Sequence, residues 1–266
     1  MPRVPDQISK IIGVIHLLPL PGSPSFTGSF DGVIERALSD CQAYNSCGVF
    51  AAIVENFGDN PFYTDRAPAV TVASMTRVVV ELKERFRQTH FGINVLRNDA
   101  ASALSIATIS GAEFIRVNVH VGAVVADQGI IQGKACDTLR LKKNLNSAVK
   151  IFADVDVKHA ATIGNYDIKM QAADALERGL ADAVIVSGPR TGKAVDLKQI
   201  RELRKEFPSA KIIIGSGADS RNARELLKSA DSIIVGTSVK VGRVTSNPVD
   251  EKLLRGFMTA AGKFGL

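Results

Sequence analysis

Charged residues recur at alternate positions where one apolar segment in the middle of the chain ends. Asp154, Asp156 and Lys158 are spaced two residues apart, and residues with that spacing share one face of an extended strand. Two carboxylates beside an ammonium group are typical of acid–base catalysis or of a divalent-cation site. We therefore predict Asp154 and Asp156 as bases or cation ligands and Lys158 as a charge-stabilising residue. The metal ligands and any other cofactor stay unassigned.

An earlier apolar segment shows the same alternation, with Arg116, Asn118 and His120 two residues apart. Polar residues also lie at or near the ends of three further apolar segments: His16, Glu55 and Asn94. A carboxylate and imidazoles at such positions are able to move protons near neutral pH. We add Glu55, His16, Asn94 and Asn118 to the predicted catalytic residues, and we predict that Arg116 and His120 bind substrate.

Two segments near the C-terminus end in glycine and hydroxyl residues: Gly215, Ser216 and Gly217 in the first, Gly236, Thr237 and Ser238 in the second. Glycine lets an anion approach backbone N–H groups closely, and a following helix start adds a favourable dipole. The pattern predicts an anion site, although tight turns alone would also need these glycines. A third loop offers donors that could close over the same ligand: Ser187, Gly188, Thr191 and Gly192.

Eight short segments rich in Ile, Val and Phe must position these residues. They cover residues 11–18, 49–55, 91–96, 114–119, 150–157, 183–187, 211–215 and 232–235, and amphipathic helical patterns separate them. Strands joined through helices are parallel. The even spacing favours one (β/α)8 TIM barrel over residues 1–266 rather than an open doubly wound sheet. Barrel active sites lie at the C-terminal ends of the strands, where the polar residues concentrate. A buried Arg116–Asp154 pair that closes this end is the structural alternative.

Composition excludes several function classes. The net charge of +6 is spread along 266 residues, which argues against a nucleic-acid surface but favours a small anionic or phosphorylated ligand. The first apolar run is too short for a membrane span, and no signal-peptide cleavage pattern follows it. Three cysteines without a CxxC motif argue against a disulfide framework and suit the reducing cytoplasm, where we expect the protein. We also expect a homo-oligomer, because barrels often self-associate.

Familiar catalytic motifs are absent from the chain. It contains no HExxH, GxSxG or GxxxxGK[ST] pattern, which disfavours a zincin, an α/β-hydrolase and a P-loop ATPase. Residues 127–133 are interpreted as an Ω-type loop, either a lid or a plain surface loop.

Blocks along nearly the whole chain resemble the BtpA family, which is named for a protein needed for photosystem I biogenesis. The blocks are IHL (15–17), LPGSP (20–24), VENFGD (54–59), GINVLRND (92–99), FIRVNVH (114–120), DQG (127–129), ADVDVKHA (153–160), VSG (186–188), TG (191–192), GSG (215–217) and IVGTS (234–238). The resemblance implies a TIM-barrel protein and links some relatives to nucleoside or sugar enzymes. It also implies a role beyond photosystems, because members are widespread outside photosynthetic organisms.

Three functions follow as hypotheses. The first is an enzyme, a hydrolase, isomerase or lyase, that acts on a small phosphorylated metabolite such as a sugar phosphate or nucleotide. The second is a non-catalytic assembly or stability factor. The third is a regulatory module that binds a ligand without turnover. The polar strand ends favour the enzyme.

Overall fold

Eight parallel strands close into a barrel in the computed structural model, which describes residues 9–156, 160–164, 166–188 and 195–262. In chain order the barrel strands are β1 Ile11–His16, β2 Ala51–Glu55, β3 His90–Asn94, β4 Phe114–Val117, β5 Lys150–Val155, β6 Ala183–Val186, β7 Ile212–Ile214 and β8 Ser232–Val235. Each strand pairs with its neighbours in sequence, and β8 pairs with β1. The predicted TIM barrel is confirmed. The predicted site residues Lys158, Thr191 and Gly192 lie outside the described residues.

In the described residues, eight helices follow the strands and surround the barrel. They are α1 Phe30–Ser46, α2 Ala69–Arg85, α3 Ala100–Ser110, α4 Ala135–Asn144, α5 Ile168–Ala173, α6 Leu197–Glu206, α7 Ala223–Ser229 and α8 Glu251–Ala261. Helix α5 continues as a π-helical turn over Asp174–Arg178. Aspartates cap several helix starts: Asp250, for example, accepts from the backbone N–H groups of Lys252 and Leu253, which satisfies donors that a helix start leaves unpaired.

The apolar strands are buried on both faces, as parallel strands in a barrel must be. One set of side chains fills the barrel interior: Ile12, Val14, Ala51, Ile53, Phe114, Phe152, Ala183, Ile185, Ile213 and Ile234. The alternate side chains form a larger layer against the helices. Phe114 and Phe152 stack with ring centroids 4.5 Å apart. The barrel interior is therefore filled by side chains, and a ligand can bind only at an end of the barrel, outside this packed layer.

A second, three-stranded antiparallel sheet corrects one prediction. Residues 127–133 were expected to form an Ω-type loop, but Ala123–Ala126 and Gly129–Gln132 form a β-hairpin that also pairs with Ala160–Thr162. We name this hairpin, residues 123–132, the β4 hairpin. Its inward residues Val124 and Ile131 pack on Val119. The third strand, Ala160–Thr162, comes from the loop after β5. Because it is far from the hairpin in the sequence, no local sequence pattern predicts that the two segments pair. No helix of the described residues is long and apolar enough to cross a membrane.

Candidate functional site

A cavity of about 500 Å³ opens at the C-terminal ends of the barrel strands. Eleven predicted site residues line it: His16, Glu55, Arg116, Asn118, Asp154, Gly215, Ser216, Gly217, Gly236, Thr237 and Ser238. The strands carry these residues because each one is among the last two residues of its strand or in the loop directly after it. The volume suits a small metabolite.

One side of the cavity is built from charged and amide side chains of β2 to β5. We call Glu55, Arg116, Asn118 and Asp154 the carboxylate wall. Arg116 donates to both oxygens of Asp154, from Nε to Oδ1 at 3.0 Å and from Nη2 to Oδ2 at 2.9 Å. Asn118 Nδ2 donates to Asp154 Oδ2 at 3.0 Å. Both oxygens of Asp154 are thus occupied, so this carboxylate holds Arg116 in place.

Electrostatics keeps Arg116 charged although it is buried. Burial opposes the charge, but attraction and hydrogen bonding to Asp154, with a smaller contribution from Glu55, outweigh that effect and raise the pKa of Arg116. A bidentate guanidinium–carboxylate pair also fixes the plane of both groups. The sequence also allowed a purely structural Arg116–Asp154 pair at this end of the barrel. That pair is present, and both of its residues line the cavity.

Glu55 is held from behind by a neighbouring strand. Asn94 at the end of β3 donates from Nδ2 to Glu55 Oε2 at 2.9 Å. The register of the two strands sets this contact, because Glu55 and Asn94 are paired across β2 and β3. Glu55 lines the cavity, whereas Asn94 stands behind it. The carboxylate therefore has a fixed orientation and an oxygen, Oε1, toward which a ligand proton could move.

The opposite side consists of the loops after β7 and β8. We call residues 215–218 and 236–238 the glycine wall. A Cβ at Gly215 would lie 2.5 Å from Ile185 Cγ2 and 2.6 Å from Ser187 Oγ, and one at Gly236 would lie 3.0 Å from His16 Cε1. Space within the barrel top therefore requires glycine at Gly215. Gly217 has φ +74°, the left-handed region that favours glycine.

Hydroxyl groups join the loops of the glycine wall to each other and to their surroundings. Ser238 donates to the Ala218 carbonyl at 2.7 Å, which links the loop after β8 to the loop after β7. Ser216 Oγ accepts from the Gly188 N–H at 3.0 Å. Thr237 Oγ1 and Thr245 Oγ1 are 2.9 Å apart, and both line the cavity. The main-chain groups of this wall are thereby held at fixed positions.

Five predicted residues lie outside the cavity lining: Asn94, His120, Asp156, Ser187 and Gly188. Asp156 follows β5 with φ +58°, its N–H donates to Gln171 Oε1, and burial raises its pKa. His120 bonds through Nε2 to the Gly179 carbonyl at 2.8 Å, and burial lowers its pKa. Both residues therefore contact other parts of the protein and do not line the cavity.

Several lining residues were not predicted: Phe57, Phe62, Leu96, Arg97, Asp127, Gln128, Asp219 and Thr245. Arg97 follows β3 and Asp219 follows the glycines after β7. A prediction that extended a few residues beyond each strand end would have found both. Asp127 and Gln128 form the turn of the β4 hairpin and lie in the segment that the sequence leaves open as a lid or a plain surface loop. Phe57 packs edge-on against His16 with ring centroids 5.1 Å apart.

The charges of the cavity are partly compensated. Asp154 pairs with Arg116, and Asp219 pairs with the exposed Arg221. The Arg221 hydrogen bond lowers the pKa of Asp219. Among the described residues, no three His, Cys, Asp or Glu side chains come together as a metal site. The predicted divalent cation therefore has no preformed protein cage in this part of the chain.

Sequence comparison now identifies the family. The model of the BtpA family matches residues 7–263. The chain belongs to the BtpA family. It is 42% identical over 252 residues to photosystem I biogenesis protein BtpA of Synechocystis sp., covering 95% of this chain and 88% of that protein. It is 43% identical over 253 residues to an uncharacterized protein of Methanocaldococcus jannaschii, covering 95% of each.

Solved structures show the same fold at low sequence identity. Thiamine phosphate pyrophosphorylase from Pyrococcus furiosus is similar with a TM-score of 0.58 at 14% identity, covering 96% of both chains. N-(5'-phosphoribosyl)anthranilate isomerase from Pyrococcus furiosus is similar with a TM-score of 0.54 at 13% identity, covering 96% of this chain and 98% of that one. These likenesses establish the barrel and leave the reaction to the residues of the site.

Proposed function

We propose that this BtpA family protein is an enzyme that acts on a small phosphorylated metabolite of the sugar phosphate or nucleotide kind. One observation carries the proposal: a single cavity has an oriented carboxylate and a fixed guanidinium on one side and the glycine wall on the other. A packed barrel top has no structural need for such a cavity, and polar groups are costly there without a ligand.

The glycine wall is the proposed phosphate site. In this fold, phosphate groups bind to the loops after the seventh and eighth strands. The wall offers main chain without bulky side chains, and Thr237 and Thr245, whose hydroxyls are 2.9 Å apart, line the same cavity. Both solved neighbours described above carry phosphate or phosphoribosyl in their names, which supports the proposal as an analogy between folds.

Acid–base chemistry is proposed for the carboxylate wall. Glu55, oriented by Asn94, takes a proton from the substrate, and Arg116, held by Asp154, stabilises the negative charge that develops. His16 at the end of β1 lines the same cavity and is the second proton-transfer group. Hydrolysis, isomerisation and aldol-type cleavage all require this pair of functions.

The phosphate site is tested with inorganic phosphate as the probe. Titration calorimetry on the wild-type protein should show binding that the Thr237→Val variant weakens by roughly fivefold, the effect of about one hydrogen bond. Thr259→Val is the matched control, because Thr259 is exposed on α8, does not line the cavity and donates its hydroxyl to the Arg255 carbonyl of its own helix. Equal weakening in both variants, or no binding by the wild type, would count against the site.

The catalytic role is tested on whatever ligand the protein retains through purification, identified by mass spectrometry. Glu55→Gln should lower turnover of that compound by roughly 10²- to 10⁴-fold, the usual contribution of a general base, while the compound still binds. Undiminished turnover would remove Glu55 from the mechanism. Tight binding without turnover in the wild type would instead favour a regulatory ligand-binding module.

An assembly or stability factor is the second candidate, because the Synechocystis relative is a photosystem I biogenesis protein. The polar cavity favours the enzyme over this role, since a factor that acts only through its outer surface needs no oriented carboxylate. Pull-down of a stable protein complex that forms equally well with the Glu55→Gln and Thr237→Val variants would favour the assembly role.

A further inference from the structure

Two amide side chains of the cavity are oriented by carboxylates, and both leave an oxygen without a hydrogen-bond partner among the described residues. The first is Asn118 in the carboxylate wall. Its Nδ2 donates to Asp154 Oδ2 at 3.0 Å, and a carboxylate paired with Arg116 only accepts hydrogen bonds. The N–H₂ group of Asn118 must therefore be the end that contacts Asp154, and the other end of the amide is Oδ1. Within the described residues Oδ1 is buried without a hydrogen-bond partner, on a side chain whose residue is only 4% exposed.

The second amide is Gln128 at the turn of the β4 hairpin. Its Nε2 donates to Asp127 Oδ2 at 2.6 Å, so the carboxylate again takes the N–H₂ end. Its Oε1 is buried and has no hydrogen-bond partner among the described residues. Asp127 and Gln128 both line the cavity. The hairpin that carries them is held in place by Val124 and Ile131, which pack on Val119, and by pairing with Ala160–Thr162.

An unpartnered buried acceptor is costly unless a ligand supplies a donor. Asn118 Oδ1 and Gln128 Oε1 accept only, and the Glu55 carboxylate that lines the same cavity also only accepts when ionised. The part of the ligand that faces these atoms must therefore present several O–H or N–H donors. A phenyl group lacks such donors and would leave Asn118 Oδ1 and Gln128 Oε1 unpaired.

We propose that the carboxylate wall and the β4 hairpin turn bind a polyhydroxylated, carbohydrate-like group, whose hydroxyls donate to Asn118 Oδ1 and Gln128 Oε1. This inference rests on the proposed function, since it assigns the part of the phosphorylated substrate that does not contact the glycine wall. Gln128 is thereby a specificity-determining residue supplied by an element outside the barrel. Phe57, Phe62 and Leu96 at the same cavity provide contacts for the C–H groups of such a ligand.

The test compares three probes by titration calorimetry on the full chain: inorganic phosphate, D-ribose 5-phosphate and phenyl phosphate. We expect ribose 5-phosphate to bind at least tenfold more tightly than phenyl phosphate, since two hydrogen bonds are each worth roughly fivefold. Equal or tighter binding of phenyl phosphate overturns the inference in favour of an aromatic substrate. Ribose 5-phosphate that binds no better than inorganic phosphate also overturns it, while the phosphate site of the proposed function stands.

Failure of the phosphate site gives a different result. If inorganic phosphate does not bind, D-ribose alone is titrated, and saturable binding supports the polyol site without the phosphate site. No binding of D-ribose or of ribose 5-phosphate overturns the polyol site as well.

A Gln128 variant tests whether Gln128 Oε1 contributes to the binding of ribose 5-phosphate. Gln128→Met keeps the length of the side chain and removes Oε1, so it should weaken ribose 5-phosphate binding roughly fivefold and leave inorganic phosphate binding unchanged. Gln132→Met on the same hairpin is the matched control, because Gln132 is exposed and does not line the cavity. Asn118→Leu should also weaken ribose 5-phosphate binding, and Gln128→Met at the hairpin turn keeps the test valid should that buried variant fail to fold. Equal effects of Gln128→Met and Gln132→Met, or none, overturn the assignment.

Discussion

The two walls of the cavity are built by different physical means. In the carboxylate wall, buried side chains fix one another through hydrogen bonds and charge, as Arg116, Asn118 and Asp154 do. In the glycine wall, the missing side chain at Gly215 creates the space, and hydroxyls such as Ser238 hold the loops together. The first wall depends on charge balance and the second on volume. We therefore expect the loss of a charge to destabilise the first wall and the addition of a side chain to destabilise the second.

Breaking the charge balance should have the largest effect on stability. Arg116→Met leaves Asp154 buried without its cation, which we expect to lower the free energy of unfolding by about 3–5 kcal/mol. Urea denaturation followed by circular dichroism measures this difference. The double variant Arg116→Met/Asp154→Leu removes both charges and should recover much of the loss. A single variant within 1 kcal/mol of the wild type would show that charge balance does not hold this wall.

Added volume in the glycine wall should cost less. Gly215→Ala places a Cβ against Ile185 and Ser187, and overpacking of this kind costs about 1–3 kcal/mol. Gly256→Ala is the control: Gly256 lies in α8 with nothing within 4 Å of the added Cβ, so the helix should gain up to about 1 kcal/mol. Denaturation of both variants checks the contrast, and a neutral Gly215→Ala would contradict the volume argument.

The smallest effect is expected from pH, at His120 in the loop after β4. Burial lowers the pKa of His120 from its ordinary 6.5, so the folded protein favours the neutral imidazole. The unfolded chain binds the proton first as the pH falls, and stability present above pH 6.5 is lost below it. The slope from one such group is at most about 1.4 kcal/mol per pH unit.

His120→Gln checks the origin of this slope, because glutamine keeps a donor for the Gly179 carbonyl but does not titrate. Unfolding free energies measured between pH 7.5 and 5 should fall less steeply for the variant than for the wild type. Parallel curves would mean that other groups account for the acid sensitivity.

Strand-end reasoning identified the barrel and half of the residues that line the cavity, but it did not separate two residues of one strand that are two positions apart. Asp154 and Asp156 were predicted together, yet only Asp154 lines the cavity. Strand β5 ends at Val155, and the positive φ of Asp156 turns the chain out of the extended conformation in which alternate residues share a face. Local sequence does not specify where the last strand residue falls.

The glycines after β7 and β8 show a second limit. The sequence predicts glycine there for close approach of an anion. At Gly215 the structure supplies a reason of its own, since Ile185 and Ser187 from the neighbouring strand occupy the space of a side chain. Both reasons predict the same residue, so only binding data on the variants separate them.

The sequence by itself determined the eight strands, the helices between them and the end of the barrel where polar residues gather, because apolar periodicity and strand-end composition are local properties. Tertiary structure decided which polar groups pair and which face the cavity. It placed Glu55 opposite Asn94 through strand register and Arg116 within bonding distance of Asp154 on the neighbouring strand, and it brought Gln128 over the cavity through pairing of the β4 hairpin with residues 160–162. Those contacts join residues far apart in the chain, and they form only when the barrel closes.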